Sequence, residues 1–483
     1  MKMAKRKKFM LSAFSIIFIL IIILAIFSHI LPDAQFVDGI LVDGSGTVGA
    51  KLSDFLLSPI LGFSDAVDVC VFILILGGFL AIINKTGALE TGIKVLVKKL
   101  KGNEIVLIPI LMFIFSVGGT TYGMLEETVG FYVLLAATMV AAGYDTIVGS
   151  AIVLLGAGSG VLGSTVNPFA VGVAVSSLPE GVTANQGLLI FTGLILWITT
   201  LLISIIFVMN YAKKVQEDKG STFLSLQEQK AMEKKFIKEE DSKDKKKDVK
   251  LSIKQRITLI LLGLTFVVMI IGFIPWGDFN VTIFDKFTGW LTGTSLGGWY
   301  FAEASVWFFV MAIIIGIINR FKEKEIVDTF VDGANDMIAV ILIIAVARGA
   351  SVLMGVTYLD NYIIYNSADL LSNLPELAFV PLNYLLHVVL SILVPSSSGL
   401  AVLSTPIMGG LASTLGYNVE VTIMTFVSAN GLVNLITPTC GAIMGGLALA
   451  KVEYTTWFKW AFKIVLTIAV ANILVLELIT LVF

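Results

Sequence analysis

Gly118-Gly119-Thr120-Thr121-Tyr122-Gly123-Met124-Leu125-Glu126-Glu127 interrupts an otherwise apolar stretch with glycines, hydroxyls and two carboxylic acids. The apolar arm before it, 104–117, is too short to cross a hydrocarbon layer of about 30 Å at about 1.5 Å per residue. The spacing therefore predicts a re-entrant helical hairpin over 104–142. It enters from the cytoplasm, turns at mid-depth through GGTTYG and returns along 124–142. In lipid, a backbone N–H or C=O without a partner costs several kcal/mol. Unwound backbone survives there only where protein or a wet cavity satisfies it.

Three further interruptions have the same character. Pro395-Ser396-Ser397-Ser398-Gly399 reads as the tip of a second hairpin, 378–415, entering from outside. Residues 156–168 (GAGSGVLGSTVNP) break a helix over 147–177, and residues 428–439 (SANGLVNLITPT) break one over 421–450. Proline removes an intrahelical hydrogen bond and clashes with the preceding turn. The freed carbonyls, with Ser164, Thr165, Asn167, Asn434, Thr437 and Thr439, form hard oxygen sites suited to Na⁺ or to substrate. Glycines permit the turns, and the tips at Gly119, Thr120, Thr121, Ser396, Ser397 and Ser398 offer hydroxyls and free amides to an anionic group. The competing reading is that small residues serve helix packing and the prolines merely kink. Four interruptions in two matched pairs favour a site.

Composition agrees with a polytopic all-α membrane protein. The chain is 57% hydrophobic and 14% charged, with a mean hydropathy of +0.94, where soluble chains carry about a quarter charged residues. Other spanning runs fall near 58–84, 187–212, 253–275, 299–319, 333–356 and 456–482. The N-terminal MKMAKRKK precedes an apolar run to about Leu31, too long for a signal-peptide core. It reads as a retained first helix with its N-terminus in the cytoplasm, and the C-terminus then falls outside. Net charge is −2, so the uneven lysines carry topology rather than nucleic-acid affinity. Residues 213–252 alternate basic and acidic residues with few large apolar ones and read as a solvated cytoplasmic linker.

Two cysteines and two histidines, all isolated, leave no disulfide framework or metal cluster. There is no GxxxxGK[ST] phosphate loop and no nucleophile beside a base, so the chain is not expected to be an enzyme. No cofactor is expected beyond a coupling Na⁺ or H⁺.

The flanks of the linker repeat each other. Gly143-Tyr144 recurs as Gly416-Tyr417, Pro168 as Pro438, Gly123 as Gly399, and Asp68 and Gly87 as Asp336 and Gly355, all at nearly constant spacing. This divides the chain into 1–212, the linker 213–252, and 253–483. Lysines crowd 94–101 in the first copy, whereas its counterpart 358–377 has no Lys or Arg. Helix 253–275 supplies the extra crossing that would invert the second copy.

Charges inside a membrane are costly and usually functional. Glu126 and Glu127 point about 100° apart on a helix, so at most one should face the site directly, as counter-charge to a cationic substrate or as proton carrier; the competing reading is a carboxylate at a helix N-terminus balancing the local dipole. Arg348 could meet a substrate carboxylate, or pair with Asp336 or a glutamate. His387 reads as a packing residue, Asp68 and Asp336 as helix caps, and Trp276, Trp290 and Trp299 as an outer interfacial belt.

GGTTYGMLEE, GYDT and GSGVLGSTVNP, with PSSSG and NLITPT in the second half, resemble the YfcC-like branch of the anaerobic C4-dicarboxylate carrier family. The resemblance covers nearly the whole chain outside the linker. It implies a bacterial inner-membrane secondary carrier of elevator type, with scaffold and transport domains in each half and usually a homodimer. It places the hairpin tips and the STVNP and NLITPT segments around the substrate. The family name implies dicarboxylates; this branch implies basic amino acids, as in arginine–ornithine exchange. Glu126 and Glu127 favour an amino acid whose carboxylate meets the Ser/Thr-rich tips and whose cationic end meets a glutamate. A Na⁺- or H⁺-coupled dicarboxylate carrier is the alternative, and an ion channel is the alternative of another class.

Overall fold

The computed structural model describes residues 13–89, 91, 92, 95, 104–237, 250–274, 276–279, 281–286 and 288–483. The basic run 1–8, the lysines at 94, 98, 99 and 101 and the charged tract 238–249, on which the topology and linker readings lean, lie outside them. Apart from a ribbon of two-residue strands, β1 (Phe36–Val37) and β2 (Ile40–Leu41), the fold is helical. Ten helices among the described residues are long and apolar enough to cross a membrane.

The elements fall into two sets of similar order. The first set is α1 (Ala13–Ile30), α2 (Leu52–Asp65), α3 (Val67–Lys85), α4 (Leu107–Tyr122), α5 (Phe131–Ala141), α6 (Thr146–Gly163), α7 (Val173–Ser176) and α8 (Gln186–Glu217). After α9 (Leu226–Met232) and α10 (Ile253–Phe273), the second set is α11 (Phe301–Ile318), α12 (Glu323–Asp336), α13 (Ile338–Thr357), then α14 (Leu359–Leu371), α15 (Glu376–Leu393), α16 (Ser397–Leu415), α17 (Val419–Val433), α18 (Gly441–Leu449) and α19 (Tyr454–Val482). Shared local chemistry builds matched corners. Gly143 (φ 89°) and Gly416 (φ 75°) end α5 and α16 in the left-handed region that a side chain would disfavour. Asp145 then caps α6 by accepting from Val148 N (3.0 Å), and Asn418 caps α17 by accepting from Val421 N (2.9 Å).

Packing follows the same exchange of halves. Helix α2 lies along α13 while α12 lies along α3, and α1 touches α13 while α11 touches α3. These form a first body. In a second body, α4 and α5 pack on α6 as α15 and α16 pack on α17, while α6 crosses α17 and α8 runs beside α19. Every residue of α6 is buried, as is all of α17 except Glu420, which is what helices apolar on all sides require.

Several expectations are corrected. GGTTY does not unwind: α4 continues through Tyr122, and the turn is Gly123–Gly130. A Cβ at Gly119 would lie 2.1 Å from the Ala157 carbonyl oxygen, and one at Gly160 2.0 Å from that of Ser116. These glycines let α4 and α6 touch backbone to backbone. The helix breaks are likewise shorter than expected, at 164–167 and 434–440. The run 58–84 is two helices parted at Ala66, so Asp336, last residue of α12, matches Asp65, last residue of α2, rather than Asp68. Asp68 sits in the first turn of α3, while Asp336 ends its helix and caps no N-terminus. Gly399 lies inside α16 and so does not match Gly123, the left-handed cap of α4. Trp290 is 83% exposed, but Trp299 is buried against Gly272 and belongs to the core rather than to a belt.

Residues 213–237, expected to belong to a solvated linker, fold onto the helices instead. Helix α8 runs to Glu217, and α9 docks: the buried Glu228 carboxylate accepts from Glu453 N (2.8 Å) and Thr456 Oγ1 (3.0 Å) at the start of α19. Thr222 Oγ1 donates to Asp145 (2.6 Å) and Lys235 Nζ to the Leu449 carbonyl (3.1 Å). Polar side chains at helix ends hold this strap, where no apolar periodicity announces it.

Candidate functional site

The two bodies meet around a cavity with two chambers. The larger, 480 Å³, is lined by Asp65, Arg348, Asp360, Tyr365 and Ser396 among others, a size suited to a small solute. The smaller, 50 Å³, lies between Glu126, Arg348, Ser396, Asn434, Thr439 and Cys440. Arg348 and Ser396 line both. The first body contributes the end of α2 and the middle of α13. The second contributes the first turn, the start of α16 and the break before α18.

Ser396 caps α16, accepting from Gly399 N at 3.2 Å, so the positive end of a long helix faces both chambers. Ser398 lies 3.5 Å from Ser396, Oγ to Oγ, and neither it nor Ser397 reaches the lining. Asn434 donates to the Pro395 carbonyl (3.3 Å) and to Asn430 Oδ1 (3.1 Å), while its own Oδ1 is buried without a partner. Thr439 Oγ1 donates to the Ile392 carbonyl (2.9 Å), tying the break to α15, and Thr437 Oγ1 sits 2.7 Å behind it. A buried acceptor without a donor costs about 1–3 kcal/mol, so Asn434 Oδ1 is an acceptor left open beside the smaller chamber.

Glu126 lines the smaller chamber. Glu127 turns inward instead, accepting from Leu125 N (3.1 Å) and bracing the turn. One of the adjacent acids thus faces the cavity, set by the turn rather than by an α-helix. Arg348 Nε lies 2.9 Å from Asp65 Oδ2. Its partner is neither Asp336 nor a glutamate, because the break at Ala66 carries the end of α2 beside α13. Buried His387 stands between the Asn383 carbonyl (Nδ1, 2.9 Å) and Ser404 Oγ (Nε2, 3.0 Å), a packed and satisfied ring.

The polar residues of α4 and of the first helix break do not line the cavity. Thr165 N donates to Thr120 Oγ1 (3.1 Å) and Thr165 Oγ1 to the Thr120 carbonyl (3.2 Å), while Thr121 Oγ1 bonds back to the Val117 carbonyl (2.7 Å). Asn167 donates to Ser164 Oγ (2.9 Å) and accepts from Phe169 N (2.9 Å). Gly119 is spent on helix contact. Of the expected site residues, the structure joins Glu126, Ser396, Asn434 and Thr439, and sets Gly119, Thr120, Thr121, Ser164 and Asn167 apart. Asp65, Asp360, Tyr365 and Cys440 were not anticipated. The aspartate shared by the ends of α2 and α12 was the available signal for the first.

An all-helical chain with ten candidate spans and a polar cavity between two helical bodies has the make-up of a multi-pass membrane transporter. The chain belongs to the DcuC family of C4-dicarboxylate anaerobic carriers, whose model matches residues 10–481. It is 30% identical over 414 residues to the Escherichia coli K12 protein described as "Putative basic amino acid antiporter YfcC", covering 82% of this chain and 74% of that one. It is equally 30% identical over 415 residues to an uncharacterised Haemophilus influenzae protein, covering 86% and 75%. Among solved structures, the Alcanivorax borkumensis YdaH transporter aligns over 97% of this chain and 98% of its own, at 13% identity and a TM-score of 0.46. Neisseria gonorrhoeae MtrF aligns over 97% and 95%, at 17% identity and a TM-score of 0.43.

Proposed function

We propose that the chain is a secondary carrier exchanging amino acids with a basic side chain, of arginine or ornithine type. The charge balance of the cavity carries this reading. The carboxylic acids Asp65, Glu126 and Asp360 line it against Arg348, with no Lys or His among the lining residues. Burial holds the Asp360 carboxyl above the usual carboxylate range. Asp65 and Glu126 leave two carboxylic acceptors for a cationic group beside a single guanidinium. A dicarboxylate would add like charge to such a lining, whereas a basic amino acid brings a net positive one. The description of the Escherichia coli relative as a basic amino acid antiporter points the same way.

In this reading the substrate carboxylate lies toward Ser396 and Arg348, and the cationic end toward Glu126. The second body slides past the first in an elevator movement, presenting the cavity to each side in turn. The repeats lie inverted across a bacterial inner membrane with the N-terminus inside and the C-terminus outside, and two copies pair as a dimer. Exchange needs no coupling ion; where Na⁺ is coupled, Asn434 Oδ1 is the acceptor it would use.

Purified protein in proteoliposomes loaded with ornithine tests the reading. Labelled arginine should enter saturably, faster with ornithine inside than without, and succinate or fumarate should not compete. Succinate uptake with no arginine counterflow would establish the dicarboxylate alternative, and single-channel currents would replace the carrier altogether.

A further inference from the structure

We propose that the Asp65–Arg348 pair reads the α-amino-acid zwitterion: the substrate carboxylate takes the place of Asp65 on Arg348, and the α-ammonium takes Asp65. This rests on the basic-amino-acid reading above and assigns the groups that would recognise the amino-acid end.

Three observations carry it. First, the pair lies in the cavity rather than behind it. Both side chains line the larger chamber, Arg348 also lines the chamber of Glu126, and the Asp65 side chain is 54% exposed. An ion pair open to water contributes little, about 0–1 kcal/mol, so replacing each partner by the opposite charge of a zwitterion costs little. It gains charge-assisted hydrogen bonds to both groups of the zwitterion.

Second, the backbones beneath the pair are fixed. A Cβ at Gly62 would lie 2.4 Å from the Ala345 carbonyl oxygen, and one at Gly349 2.8 Å from that of Ser58. Helices α2 and α13 are therefore locked at contact distance, and the two side chains can part without moving them.

Third, the pair exists in one half only. Asp65 has its counterpart in Asp336, the last residue of α12. Counting forward from the ends of α12 and α2, the position matching Arg348 is Gly77 of α3, which packs against Gly333. If the pair served only to hold the two helices together, the equivalent α3–α12 contact would be expected to need it too, and it does without. The pair also discriminates. A dicarboxylate could claim Arg348, but it would leave Asp65 displaced beside a second carboxylate, a built-in repulsion.

The test measures competition against labelled arginine in proteoliposomes of the full-length carrier by three ligands: arginine, agmatine (no carboxylate) and 5-guanidinopentanoate (no α-ammonium). Wild-type protein should prefer arginine to either analogue by about ten-fold or more. Asp65→Asn should weaken arginine by about ten-fold while 5-guanidinopentanoate holds or improves, since nothing then competes for Arg348. Arg348→Gln should weaken arginine and 5-guanidinopentanoate while leaving agmatine nearly unchanged. Parallel shifts of all three ligands in both variants would overturn the assignment. Should a variant not assemble, the wild-type series decides, because equal affinity for arginine and 5-guanidinopentanoate overturns it equally. Wild-type protein that transports succinate and not arginine would instead fail the underlying reading, a distinguishable result.

Discussion

The two hairpin ends occupy equivalent places and do different chemistry. In the first half, α4 runs straight through Gly118–Tyr122, and the polar residues beyond it bond to one another: Thr120 with Thr165, Ser164 with Asn167. In the second half, the turn between α15 and α16 is only 394–396, Ser396 opens a helix toward the cavity, and Asn434 keeps an acceptor unpaired. The docking differs too. Helix α18 lies against α13, where a Cβ at Gly441 would meet Ile344 at 2.2 Å, whereas α7 packs on α16. A similar helical scaffold is built twice; polar groups satisfied within the protein brace the first, while Ser396 and Asn434 of the second line the cavity.

The strongest challenge to this contrast is Glu126→Gln, the acid that the first-half hairpin contributes to the lining. It should lower kcat/KM for arginine by about a hundred-fold, as loss of a charged partner in an enclosed site does, and spare a neutral amino acid far more. Equal losses for both, measured by uptake, would remove the counter-charge role. Next, Gly119→Ala places a methyl against the Ala157 carbonyl and should destabilise the detergent-solubilised protein by about 1–3 kcal/mol, read as a lower Tm. Thr120→Val should cost about 1–3 kcal/mol through the unpaired Thr165 amide, with KM for arginine nearly unchanged. A large KM change there would make the first-half break part of the site after all. The smallest effect belongs to Ser398→Ala, off the lining, for which transport within about two-fold of wild type is expected, since surface-like changes cost within about 0.5 kcal/mol.

Helical class, the paired interruptions and the Gly-Tyr corners were all readable in the sequence, because glycine with positive φ and a following Asp or Asn cap are local signals. The roles of the glycines in GGTTYG were not. Glycine that turns a chain and glycine that admits a neighbouring backbone look alike until the neighbour, here Ala157, is known. Asp65 was hidden for a similar reason: the break at Ala66 lies inside one continuous apolar run. The strap through α9 did carry a signal, Ser225 three residues before Glu228, which is a capping box (Glu228 N to Ser225 Oγ, 3.3 Å). Its charged surroundings suggested solvent instead.

The central claim is that solute binds between the two bodies, against Ser396. In protein with Cys70 and Cys440 replaced by serine, a Ser396→Cys thiol should react with a small charged maleimide added to proteoliposomes. Saturating arginine should slow that reaction by about ten-fold or more, as expected when bound ligand occludes the site. Arginine transport that saturates normally while the thiol reacts at an unchanged rate would place the substrate elsewhere and contradict the account.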